Sequence, residues 1–143
     1  MNVKKLLESH KEIDDRIELG LEEIARLRSL AERVTQRISP DLSRGKGGFS
    51  DKVGTYAARI ADLELQIDNE IDRLVDVREQ IMSMMSAFDD DMLRIIIERR
   101  YILHESTEVI AEKVGYTPRH TARLLQKGLA FLEDRYGDTA KIA

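Results

Sequence analysis

An all-α fold follows from three observations. Apolar residues recur every seven positions through most of the first 88 residues, the spacing of a helix stripe rather than a strand. The chain of 143 residues has two prolines, no Trp and 5% aromatic residues, and Glu, Leu, Ile, Arg and Ala carry much of the rest. The two prolines stand in two glycine-containing stretches, "SPDLSRGKGGFS" (39–50) and "GYTP" (115–118), which punctuate otherwise continuous helical patterns. The predicted architecture is a long antiparallel helical hairpin, coiled-coil-like, over residues 1–87, followed by a three-helix helix-turn-helix module over 88–143.

The first arm is expected over residues 3–38. One seam position holds Leu6, Ile13, Gly20, Leu27 and Val34, the other His10, Ile17, Ile24, Ala31 and Ile38, and Leu7, Leu21 and Leu30 widen the stripe. Pro40 cannot continue a helix and three glycines favour turns, so 39–50 reads as a loop. The second arm is expected over 51–87, with Val53, Ile60, Ile67, Leu74, Ile81 and Phe88 on one seam and Tyr56, Leu63, Val77 and Met84 on the other. Glu70 interrupts that second seam, with Ile71 beside it to cover the gap. Each arm would be roughly 50 Å long at the helical rise. A symmetric loop places Gly20 near Asn69 and Glu70, so both arms weaken at one level, a soft point halfway along.

The pattern then changes. Asp89 is an N-cap candidate, acids follow in the first turn, and Phe88 and Leu93 have the spacing of a hydrophobic staple. A third helix is expected over 90–103, with Ile95, Ile96, Ile102 and Leu103 as its apolar face. Ser106 caps a short helix over 107–114, which Gly115 ends in the position where a left-handed residue is usual. Thr117 caps the last helix, with Pro118 at its first position and an end near Arg135. The last residues, "YGDTAKIA", have the pattern of a frayed end.

Composition narrows function. A net charge of −4 argues against a protein that coats nucleic acid, yet leaves room for one local basic face. Without Cys there is no disulfide framework and no thiolate, which fits a cytoplasmic location. The N-terminal residues do not read as a signal peptide, and no run reaches the length of a membrane span.

The local basic face is found in "IAEKVGYTPRHTARLLQ" (110–126). Between Lys113 and Glu133 no acidic residue occurs, while Arg119, Arg123 and Lys127 lie four apart on one helical face, with His120 beside them. Ile110, Ala111, Val114, Thr121, Leu124, Leu125, Leu129 and Leu132 are expected inward. Arg119, His120, Ala122, Arg123, Gln126 and Lys127 are left outward. A short helix, a tight turn and a helix with an exposed basic start suit the major groove of double-stranded DNA. The expected base readers are Arg119, His120, Arg123 and Gln126; Lys113, Thr117 and Lys127 would contact the backbone. The plainer alternative is an ordinary bend between two packed helices with solvated cations.

Residues 106–132, "STEVIAEKVGYTPRHTARLLQKGLAFL", resemble the region-four helix-turn-helix of bacterial sigma factors, through Ser106, Ile110–Ala111, the Gly115–Tyr116–Thr117 turn and the apolar positions of the last helix. With "ERRYIL" (98–103) before it, the stretch is similar to the C-terminal module of small phage transcriptional regulators of the RinA and ArpU type. The resemblance implies a phage or prophage regulator of late genes, with RNA polymerase as a possible partner. The middle of the last helix departs from that group: Leu124–Leu125 and Gly128 shorten the basic surface.

Other candidate sites are weaker. "SRGKGGFS" (43–50) joins two helices rather than following a strand and ends in the wrong order for a phosphate loop, so a hinge is expected. Asp89–Asp90–Asp91 suits capping better than metal binding, and His10 and His104 have no companion ligands at metal spacing. No catalytic set stands out; no enzyme activity, metal or cofactor is expected. Met82, Met84 and Met85 are expected to pack in the core beside Phe88. Specificity from so small a module calls for a homo-oligomer through the helical hairpin, or a complex with polymerase. Two alternatives carry the same fold: a protein-interaction module that docks on polymerase without reading DNA, and the small subunit of a phage packaging motor.

Overall fold

The computed structural model describes the backbone of residues 3–36 and 46–137 and the side chains of 3–36 and 51–137. Among them all regular structure is helical: α1 (Val3–Gln36), α2 (Lys46–Met85), α3 (Asp91–Tyr101), α4 (Thr107–Val114) and α5 (Pro118–Tyr136). Helix α2 starts inside the stretch expected to be a loop. Glycine costs a helix about 1 kcal/mol without blocking its hydrogen bonds, whereas only proline removes a donor. Pro40 and the expected final residues of the first arm lie outside the described residues, as do 138–143 of the end expected to fray; Tyr136, the first residue of that end, closes α5. No described helix is long and apolar enough to cross a membrane.

The chain divides into two compact units, Met1–Asp14 with Asp72–Ala143, and Asp15–Ile71. The boundary read from the sequence, between 87 and 88, thus falls inside the first unit.

In the Asp15–Ile71 unit, α1 and α2 run antiparallel. Arg16 meets Glu70 at 3.3 Å, Gly20 meets Ile67, and Arg28 meets Glu64 at 2.9 Å, so partners fall along α2 as they rise along α1. Ile17, Ile24, Leu27, Leu63 and Ile67 form the buried seam. A Cβ on Gly20 would come within 2.8 Å of Ile67 Cγ1, so the glycine is what lets the helices approach at this level. A surface groove of about 490 Å³ opens beside Leu19, Gly20, Leu63 and Ile67. The gap at Glu70 is filled differently from expectation. Its carboxylate pairs with Arg16, while Ile71 stays exposed. Leu21, expected to widen the stripe, is 54% exposed.

In the other unit the core is denser. Val3, Leu6, Leu7 and Ile13 of α1 and Val77, Ile81, Met84 and Met85 of α2 are buried together with Leu93, Ile96, Ile97 and Tyr101 of α3. Helix α5 packs on both α3 and α4. Phe88 stacks on Phe131, with ring centroids 4.9 Å apart, rather than stapling Leu93. The cap is Asp90, one residue later than expected, accepting from the Met92 and Leu93 N–H groups, so Phe88 and Leu93 no longer occupy the two positions that define a staple. The inward face of α3 follows i, i+3, i+4 spacing: Leu93, Ile96, Ile97 and Tyr101 are buried, while Ile95 and Leu103, both expected inward, are exposed. Met82 is the partly exposed member of the methionine cluster.

Candidate nucleic-acid interface

Helix α4 starts at Ser106, whose hydroxyl accepts from the Val109 N–H at 3.2 Å. It ends at Gly115, with φ 80°, where both the Gly115 and Tyr116 N–H groups donate to the Ala111 carbonyl. Thr117 then caps α5, its hydroxyl accepting from the His120 N–H at 3.1 Å, and Pro118 occupies the first helical position. Pro118 has no N–H, and the His120 and Thr121 N–H groups are taken by Thr117. The Arg119 N–H is left without an intrahelical acceptor.

The faces of α5 separate as its sequence requires. Thr121, Leu125, Gly128, Leu129 and Leu132 are buried, and Leu124 is half-buried. Gly128 lies against Ile97 of α3. Arg119, Ala122, Arg123, Gln126 and Lys127 are exposed, and His120 is half-buried. No carboxylate among the described residues pairs with Arg119, Arg123 or Lys127. Two further contacts organise this face. Arg123 Nη2 donates to His120 Nδ1 at 2.8 Å, and the Tyr116 ring meets the His120 ring edge-on, with centroids 4.9 Å apart.

Lys113 stands apart from the other cations. Its ammonium is bound to the Glu105 carboxylate, which also takes Arg99 at 3.1 Å. The Lys113 hydrogen bond, together with Arg99, holds the Glu105 carboxyl below its ordinary range. A phosphate at Lys113 would have to compete with that carboxylate. The arrangement was not legible in the sequence: Glu105 precedes α4 and meets a lysine eight residues on only because the turn after α3 folds back.

A second cluster that sequence spacing cannot reveal joins His10 of α1 to His104, which follows α3 with φ 58°. His10 is 4% exposed, its Nδ1 lies 3.2 Å from His104 Nε2, and Asp14 Oδ2 lies 3.5 Å from the same His104 nitrogen. Residues 94 positions apart in the chain carry no sequence signal that they meet. Among the described residues no group of three or more His, Cys, Asp or Glu side chains is arranged to hold a metal ion.

Comparison of the chain with family models, with characterised proteins and with solved structures returned no match.

Proposed function

We propose that the protein is a non-enzymatic, sequence-specific DNA-binding regulator of transcription. In this reading α4 and α5 form a helix-turn-helix, carried on an antiparallel hairpin of α1 and α2, and α5 enters the major groove. The observation that carries the reading is the pair Arg119 and Arg123, exposed on the first turns of α5 in an acid-free stretch of an acidic chain. Such a face suits a polyanion, and the fork of each arginine suits a guanine edge. Arg119, Arg123 and Gln126 are the base readers, with His120 between them. Lys127 and the Arg119 N–H beside the Thr117 cap serve the phosphates. The resemblance of 106–132 to sigma region four, and of 98–124 to regulators of the RinA and ArpU type, supports the same reading and adds phage or prophage late genes as targets.

A single module buries too little DNA for useful specificity. The reading therefore includes a homo-oligomer through the two long helices, or RNA polymerase as co-partner. Exposed Leu19 and Leu65 on the Asp15–Ile71 unit supply apolar surface for assembly.

The test is duplex binding by the full chain, using DNA selected from a random pool. Affinity should fall with rising salt, and the double substitution R119A/R123A should weaken binding by about 1 to 3 kcal/mol per arginine while helicity by circular dichroism is kept. Undiminished binding by a folded double variant would overturn the assignment.

A further inference from the structure

We propose that His120 is a positioning residue, holding the Arg123 guanidinium for the O6 and N7 edge of a guanine; the proposal rests on the DNA-binding reading above. An arginine side chain carries donors and no acceptor. The 2.8 Å contact between Arg123 Nη2 and His120 Nδ1 therefore has one chemical meaning: Nδ1 accepts, and the ring proton sits on Nε2. The ring is itself restrained. Tyr116 meets it edge-on at 76°, and the Thr117 hydroxyl accepts from the His120 backbone N–H.

Two consequences follow. An unrestrained arginine gives up several rotamers on binding, whereas this one is held before DNA arrives, so less freedom is lost. One Nη2 hydrogen is committed to the imidazole, which leaves Nη1 and the second Nη2 hydrogen as an end-on fork. The start of α5 then presents donors: Arg119, Arg123 and the His120 Nε2–H. Guanine is the base whose major-groove edge sets two acceptors, N7 and O6, side by side, while adenine sets a donor beside its N7 and thymine a methyl beside its O4.

The experiment compares each selected duplex with copies carrying 7-deazaguanine at one guanine at a time, which replaces N7 by a C–H. At one guanine the wild-type chain should lose about tenfold in affinity. H120A should shrink that loss to about twofold or less. H120N, whose amide oxygen can stand where Nδ1 stood, should restore it to within about threefold, and H120A should add nothing to R123A. Indifference of the wild-type chain to every 7-deazaguanine, or an unchanged loss in H120A, overturns the positioning role while DNA reading stands. Absence of any salt-dependent duplex binding removes both.

Discussion

His10 Nδ1 lies 3.2 Å from His104 Nε2, tying an early turn of α1 to the residues that follow α3. One of the two rings must be neutral for this contact, because a hydrogen bond between them needs an acceptor nitrogen. Burial, before any other cause, holds the His10 pKa below its ordinary value of 6.5. His104 and Arg78 push the same way, and Asp14 opposes them. The folded chain thus keeps His10 neutral at a pH where the unfolded chain takes up a proton. Its contribution to stability is full above the unfolded value and is lost as pH falls from about 6.5 toward the lower folded value. Melting temperatures at pH 7.5, 6.5 and 5.5 should fall in that order, and H10Q should flatten the slope. An equal slope in H10Q would assign the pH dependence to other groups.

Thr121 offers a second test. Its side chain is fully buried on α5, and Oγ1 finds no hydrogen-bond partner among the described residues. A buried hydroxyl without a partner costs roughly 1 to 3 kcal/mol in desolvation, and valine has nearly the same shape. T121V should raise unfolding free energy by about 1 kcal/mol in chemical denaturation. A loss of that size would mean that the hydroxyl is satisfied in solution.

The contact of Gly20 with Ile67 predicts a change of sign. Alanine at 20 gains about 1 kcal/mol in helix propensity, but its Cβ would lie 2.8 and 2.9 Å from Ile67 Cγ1 and Cδ1. Overpacking of this kind costs about 1 to 3 kcal/mol. G20A should therefore destabilise the natural chain and stabilise I67A. Denaturation of all four members of the cycle measures the coupling.

Glu105 sets the availability of Lys113. If Lys113 contacts the DNA backbone, E105Q should free its ammonium and strengthen duplex binding roughly threefold at low salt. The gain should vanish in the K113A background. A gain that persists there would come from the lost carboxylate charge itself, and Lys113 would not be a backbone contact.

How far the sequence carries depends on the range of the interactions involved. Both ends of α4 and the start of α5 were legible to the residue because Ser106, Gly115, Thr117 and Pro118 act on their own backbone neighbours. The outward set on α5 was legible except for His120, which is half-buried: helical periodicity alone separates Arg119 and Arg123 from Thr121 and Leu125, but not the contacts His120 makes with Tyr116 and Arg123. The cap of α3 was not: three adjacent aspartates offer the same chemistry, and only tertiary packing selects Asp90. Nor was its inward face: with apolar residues at 93, 95, 96, 97, 102 and 103 several stripes are open to the helix, and tertiary packing buries the one through Leu93, Ile96, Ile97 and Tyr101. The pairing of His10 with His104, and the hub at Glu105, depend on contacts between distant or folded-back segments, which periodicity does not encode. Loop symmetry placed Gly20 beside Asn69 and Glu70, within about a turn of the Ile67 it meets; that a bulky side chain rather than a second weak position fills the space at Gly20 was not legible.

The unit that contains α5 is completed by residues 3–14, and the Glu133 carboxylate accepts from the Val3 backbone N–H at 2.9 Å. A ribosome makes those residues well before Glu133. Leu6, Leu7 and Ile13 are therefore translated before α3 and α5 exist, and the apolar surface they share has to be covered by other contacts until α5 emerges.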